Sequence, residues 1–428
     1  MTIASVETRT GVDATTILTL YLTLLWLIPS PMVFSAFGSA GSPANLIGIA
    51  TFFCWAWFVL RRSEPTYAGF QPVRASMLGW LLIMVAVYAH AMAGPIPGDE
   101  ISVADNGLLR LIGMAGVVLI ATDGISDLAR HRVILRRIAV AAGLVALLGL
   151  VQYLTGELYV DRIRVPGLTA GTSEWNLGMR SGFARPSGTS TSPIEYGVLL
   201  GMTLPITIVC ASAGSRHAWL FRVMLIATIV SIFFSMSRSA YLCALMGVTV
   251  LGMSWDARKR LRALGFLLAV TAVMYVTVPG LLGAIRGLFS NAGQDPSVAS
   301  RTGSYDIAGE FIANSPIVGR GFGTFLPKYW ILDNSYLGLL IEGGLVGLLG
   351  LLILVTVGIL GARQARASLP ESEDRQLAQA LQAAIAAGAC GLAFFDTFAF
   401  PQTAGCFFLL IGLAGAMRRL TQRPPAPS

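Results

Sequence analysis

The sequence predicts an all-α polytopic membrane protein of about twelve transmembrane helices. Its 428 residues are 55% hydrophobic and only 12% charged. The apolar residues fall in repeated runs of roughly 16–25, long enough to cross a bilayer as helices. The basic residues, in turn, recur in alternate connections between those runs, which orders the runs across the membrane. No run shows the ~10-residue apolar–polar alternation of a barrel strand. The whole chain, 1–428, therefore reads as one integral membrane domain.

The spans are expected near Thr16–Phe34, Asn45–Leu60, Met77–Ala93, Leu108–Thr122, Val133–Tyr153 and Ile194–Ala213. Six more follow near Trp219–Met236, Ser239–Ser254, Leu261–Val278, Ser335–Leu360, Leu377–Phe395 and Thr403–Met417. The first run follows Glu7, Arg9 and Asp13 with no convincing cleavage site, so it reads as a retained helix.

One set of connections holds Arg61, Arg62 and Arg74; Arg130, Arg132, Arg136 and Arg137; Arg216 and Arg222; Arg258, Lys259, Arg260 and Arg262; and Arg363, Arg366 and Arg375. A short tail, 418–428, adds Arg418, Arg419 and Arg423. These connections alternate with the basic-poor segments at Ser35–Ala44, Gly94–Gly107 and Asp396–Gln402, which places both termini in the cytoplasm. The net charge of +8 belongs to this pattern, and no basic stripe in a soluble segment points to nucleic acid. The five cysteines lie in apolar runs without metal spacing and read as small buried side chains.

Two long connections on the outer side break the rule. The segments 155–193 and 279–334 carry Arg162, Arg164, Arg180, Arg185, Arg286, Arg301, Arg320 and Lys328. Arg238 sits beside them at the outer end of a span, in Ser235-Met236-Ser237-Arg238-Ser239, where a charge costs a few kcal/mol and so marks a function or a buried partner. In the first loop Arg180 and Arg185 precede the hydroxyl-rich run 187–192 and a helix start, a setting suited to an anion. In the second, a short helix over 300–314 is expected to present Arg301. The glycines of Gly319-Arg320-Gly321-Phe322-Gly323 are expected to allow close backbone approach around Arg320. Asp333 and Asn334 either cap the following helix or face the site.

Taken together, Arg185-Pro186-Ser187-Gly188-Thr189, Ser237-Arg238-Ser239-Ala240, Ser300-Arg301, Ser315–Gly323 and Asp333-Asn334-Ser335-Tyr336-Leu337 resemble the O-antigen ligase and polymerase family of bacterial envelope proteins. The resemblance spans about Arg180–Gly350, while the first five helices match in hydropathy only. It implies a metal-independent glycosyltransferase with a glycosyltransferase-C-like bundle in the bacterial inner membrane, working at the extracytoplasmic face without a cofactor. It implies undecaprenyl-diphosphate-linked oligosaccharide, an acceptor glycan and membrane lipids as partners, and leaves a chain-length regulator open.

Fixed guanidinium groups suit a diphosphate leaving group. Arg238, Arg301 and Arg320 are the expected catalytic cations, supported by Arg180 and Arg185. Asp333 is the first candidate base and Glu174 a distant second, with Asn334, Ser335, Tyr336 and Phe322 as substrate contacts. Phe183, Tyr196, Tyr329 and Trp330 are further candidates for stacking on sugars, or else packing residues. Ligases of the family carry a histidine where Asp333 stands, and His90, His131 and His217 all lie outside the two loops. A polymerase of lipid-linked repeat units therefore leads, ahead of a ligase, with a lipid-linked sugar transporter as the rival of another class.

Overall fold

The computed structural model describes residues 13–61, 70–170, 177–214, 217–290 and 296–422, with the side chains of 296–301 outside the description. Fourteen α-helices build it. The first half contains α1 (Ala14–Leu27), α2 (Pro43–Arg61), α3 (Pro72–Ala93), α4 (Gly98–Gly124), α5 (Leu128–Thr155), α6 (Pro193–Ser212) and α7 (Ala218–Phe234). The second contains α8 (Arg238–Gly252), α9 (Ala257–Thr277), α10 (Leu281–Ser290), α11 (Pro296–Asn314), α12 (Ser335–Ser368), α13 (Glu373–Leu392) and α14 (Pro401–Thr421). Every expected span overlaps a helix, but the first ends at Leu27 rather than Phe34, with Met32–Val33 extended beyond it; α10 and α11 lie in the second long loop. Eight of the helices are long and apolar enough to cross a membrane. The protein is an all-α polytopic membrane protein.

Local chemistry sets the helix starts. Asp13, Asp127, Ser192, Asp256 and Ser372 each accept a hydrogen bond from the backbone N–H three residues on, filling one of the donors a helix start leaves open. Pro193 follows Ser192 at the first helical position, where its missing N–H costs nothing. α6 and α14 form the centre and are buried along almost their whole length.

Glycines let neighbouring helices close up. A Cβ on Gly116 would meet Gly48 O at 2.0 Å, and one on Gly48 would meet Gly113 O at 2.6 Å, so α2 and α4 touch backbone to backbone. Arg132 pairs with Asp374 at 2.9 Å and Arg136 with Glu373 at 2.8 Å, joining the starts of α5 and α13.

Two expectations are corrected. The connection 94–107 is mostly the first turns of α4, whose start carries Asp99 and Glu100 and begins ten residues before the expected span. α12 runs on to Ser368 and is broken at Gly344, where φ is +61°. In an unbroken helix Leu345 N and Val346 N would donate to Ile341 O and Glu342 O. Instead Leu345 N and Val346 N donate to Pro316 O and Ile317 O, at 2.9 and 3.2 Å. Arg320 N and Gly321 N donate to Ile341 O and Glu342 O, at 3.1 and 2.8 Å. The loop after α11 thus replaces the bonds the break removes. Gly319 makes this fit possible: its φ is +73°, and a Cβ there would meet Glu342 O at 2.4 Å.

Among the described residues, four short strands lie in the α1–α2 and α5–α6 connections. β1 (Met32–Val33) pairs with β2 (Thr169–Ala170), and β3 (Gly178–Arg180) with β4 (Phe183–Arg185).

Candidate functional site

β3 and β4 form a hairpin closed by Ser181 and Gly182, both at positive φ (+50° and +82°), the pattern of a primed two-residue turn. The register pairs Arg180 with Phe183 and Gly178 with Arg185. With a side-chain period of two, Arg180, Phe183 and Arg185 share one face. Phe183 packs beside Met236 and Leu281, which lays the hairpin against the turn between α7 and α8.

Arg185 Nε donates to Ser235 O in that turn at 2.9 Å, while its Nη2 is buried without a hydrogen-bond partner. Burial, and then the positive charge of Arg180, draw Arg185 down to about 10, so it stays cationic at neutral pH. Arg238 is the first residue of α8, and its Nη1 donates to Leu288 O of α10 at 3.2 Å. Tyr241, one turn on, lies in the field of both hairpin arginines. Arg180, Arg185 and Arg238 therefore gather at the start of α8, whose cap residue Ser237 gives no side-chain hydrogen bond. Cations at the positive end of a helix repel it. An anion placed there would be held by the helix N–H groups and by the arginines together.

A second charged group lies next to this cluster. Ser239 Oγ donates to Phe394 O at 3.3 Å, and Ser335 Oγ donates to the next carbonyl, Phe395 O, at 2.9 Å. Asp396 follows. Burial pushes its carboxyl up to about 6; Arg110 opposes the rise and the charge of Asp333 adds to it. Arg110 Nη1 donates to Phe398 O at 3.0 Å in the same link. Asp333 and Asp396 thus lie within electrostatic reach of each other, with Arg110 acting on Asp396 as well. Asp396 was missed in the sequence because it is a single acid in a short connection; only the fold brings it to Asp333.

Several expected site residues are placed elsewhere. Asn334 caps α12, accepting from Tyr336 N and Leu337 N at 3.0 and 3.1 Å. Ser335 is buried between Phe395 O and Thr397 N, and Tyr336 donates its hydroxyl to Ala389 O at 2.7 Å. Phe322 packs edge-on against Phe398. In the structure these four have packing and capping contacts.

Arg320 is also drawn away from the cluster. It pairs with Glu100 at 2.6 Å and lies 5.0 Å from the rings of both Phe311 and Tyr329. Tyr329 donates its hydroxyl to Glu100 as well, and Lys328 bonds Asp99, which pushes the Lys328 ammonium up. Arg320 therefore clasps the second loop to α4.

The hydroxyl-rich run 187–192 is corrected too. Gln152 holds Ser187 N, Gly188 N and Gly188 O, and Gln402 holds Thr189 and Ser190, so this run is a buried tie between α5, α6 and α14. Tyr196 is fully buried and donates to Ala146 O. Trp330 stays partly exposed beside Gly303. Arg301 lies on α11 with its side chain outside the described residues, and Glu174 lies outside them altogether.

Residues 223–352, from within α7 to within α12, match the family model described as O-antigen ligase. The match covers 130 of the 428 residues and supports an assignment to the O-antigen ligase and polymerase family. The matched stretch holds Arg238, Arg320, Asp333 and the broken part of α12. The match supports a ligase- or polymerase-type role in surface polysaccharide synthesis, by glycosyl transfer. No curated protein matches the chain.

Proposed function

We propose that the protein polymerises oligosaccharide repeat units carried on undecaprenyl diphosphate, at the extracytoplasmic face of the bacterial inner membrane. The observation that carries this reading is the gathering of Arg180, Arg185 and Arg238 at the uncapped start of α8. The donor diphosphate binds there. A hydroxyl oxygen of the acceptor glycan attacks the anomeric carbon, and the bond from that carbon to the diphosphate oxygen breaks. The electron pair leaves with the diphosphate, whose charge the guanidinium groups stabilise. The hydroxyl proton passes to Asp333. Trp330 offers an aromatic face to a sugar.

Asp333 standing where ligases of the family carry a histidine favours polymerisation over ligation. The break in α12 favours a transporter, since transporters bind substrate at discontinuous helices. That reading loses because the loop 316–321 already bonds the groups freed by the break.

The test is the length and attachment of envelope glycan in a deletion strain carrying wild type or Arg238→Ala. Single repeat units in the deletion and in Arg238→Ala support polymerisation. Long glycan left on the carrier lipid would make the protein a ligase. Normal glycan in both strains would defeat the glycosyl-transfer reading.

A further inference from the structure

Arg110 stands apart from the arginine cluster. It lies within the expected span 108–122, where a cation costs free energy and so marks a function or a buried partner. It belongs to α4, and its Nη1 donates to Phe398 O at 3.0 Å. Its Nε is buried, with no hydrogen-bond partner among the described residues. The carboxyls of Glu342 on α12 and Asp396 in the α13–α14 link both lie within electrostatic reach of it. A cavity beside the guanidinium, lined by Tyr21, Ser42, Asn45, Met114 and Phe398 among others, measures about 30 Å³. That is room for roughly one or two water molecules, too little for a phosphate or a sugar ring. The cation therefore acts on the link rather than on a substrate.

The link, residues 393–400, reaches both halves of the site. It follows α13, against which α8 and α12 both pack. Ser239, next to Arg238, donates its hydroxyl to Phe394 O; Ser335, two residues after Asp333, donates its own to Phe395 O. Ser335 Oγ also accepts from Thr397 N at 2.7 Å, so one hydroxyl grips the link twice. Arg110 holds the same segment further on, at Phe398 O. The starts of α8 and α12 thus hang on consecutive carbonyls of one short segment, and Arg110 anchors that segment to α4.

We propose that Arg110 is a positioning residue: by anchoring the 393–400 link it fixes the spacing between Arg238 and Asp333. The inference rests on the proposed roles of those two residues, the cation for the diphosphate and the acceptor of the hydroxyl proton. Arg110 itself touches neither substrate. Its hold on the link is a charge-assisted hydrogen bond, stronger than one between neutral groups. Transfer needs the leaving group and the attacking hydroxyl in one geometry at once. A shift of about 1 Å between the starts of α8 and α12 would therefore cost on the order of 10²-fold in rate. Binding of the diphosphate alone needs only the α8 side and survives such a shift. Rate and affinity separate.

The experiment uses the full protein in phosphatidylethanolamine–phosphatidylglycerol nanodiscs, with undecaprenyl-diphosphate-linked repeat units extracted from the deletion strain as substrate. kcat, KM, affinity for undecaprenyl diphosphate and melting temperature are measured for wild type, Arg110→Lys, Ser239→Ala and the double variant. Arg110→Lys keeps a charge near Glu342 and Asp396 and loses the guanidinium's reach to Phe398 O. It is expected to lower kcat by about 10- to 100-fold while KM and undecaprenyl diphosphate affinity stay within about twofold of wild type. Ser239→Ala should lower kcat in the same way. The double variant should be no slower than the slower single variant, because both changes cut one tether. Losses that multiply in the double variant would overturn the proposal, as would a folded Arg110→Lys of wild-type rate. Should Arg110→Lys fail to fold, a wild-type kcat in Ser239→Ala overturns it alone. Loss of undecaprenyl diphosphate affinity in Arg110→Lys would make Arg110 a binding residue and overturn it too. If wild type transfers nothing, or Arg238→Ala transfers at the wild-type rate, the glycosyl-transfer reading fails, and this inference with it.

Discussion

Arg238 and Asp396 show opposite relations between sequence and site. Arg238 was legible because a charge inside an apolar run costs free energy that something must offset. Its truncation should remove stabilisation of the departing diphosphate. Arg238→Ala is expected to slow transfer in isolated membranes by roughly 10²–10³, the range for losing one such donor. Arg238→Lys should fall between, since it keeps the charge and loses the two-pronged fork. Equal loss in both variants would point to a packing role. Asp396 was illegible because its meaning comes from neighbours distant in sequence, Asp333 and Arg110. Its folded value of about 6 lies above the ordinary value of 3.8, so the folded state binds this proton more tightly. The stabilisation that goes with the proton is present below 3.8 and is lost as pH rises through about 6. Asp396→Asn should therefore stabilise the protein more at pH 7 than at pH 4.5, by about 1 kcal/mol once partial exposure is allowed for, read as a larger rise in melting temperature at pH 7. It should also flatten any rise of activity through pH 6. A variant that melts with the same change at both pH values would overturn this reading of Asp396.

At the scale of elements, the helices were legible and their irregularities were not. Apolar runs fix where a helix crosses, because the bilayer interior leaves no other way to satisfy the backbone. The break at Gly344 has no such local signal. It exists because the loop carrying Gly319 and Arg320 supplies replacement bonds from more than twenty residues away, and the glycine run that looked like room around an arginine is room against a helix break. The same holds for 187–192: its hydroxyls suggested an anion site, but Gln152 and Gln402, remote in sequence, had already claimed the polar groups. Gly344→Ala and Gly319→Ala should each destabilise the protein by about 1–3 kcal/mol or more, from positive φ together with the contact that a Cβ would make. Gly309→Ala, where a Cβ meets nothing within 4 Å, should leave the melting temperature unchanged or slightly raised. Thermal unfolding of the three variants in detergent checks the pattern. No difference among them would mean that the loop does not lock the break.

At the scale of the whole molecule, the reading depends on which side of the membrane the arginine cluster faces. Positive residues collect on the cytoplasmic side as a rule of insertion, so basic residues there need no function. Only if Arg180, Arg185 and Arg238 face outward does their clustering call for an anion. The alternation of basic connections predicts that the β3–β4 turn and the α8–α9 link lie on opposite sides. In a background with Cys54→Ala, the one cysteine exposed on the bundle, an impermeant maleimide added to intact spheroplasts should modify Ser181→Cys and spare Lys259→Cys. Inside-out vesicles should reverse the result. The opposite pattern would place the hairpin among the ordinary cytoplasmic arginines. The diphosphate site would then lose its reason, while the helical fold and the family match over 223–352 would stand unchanged.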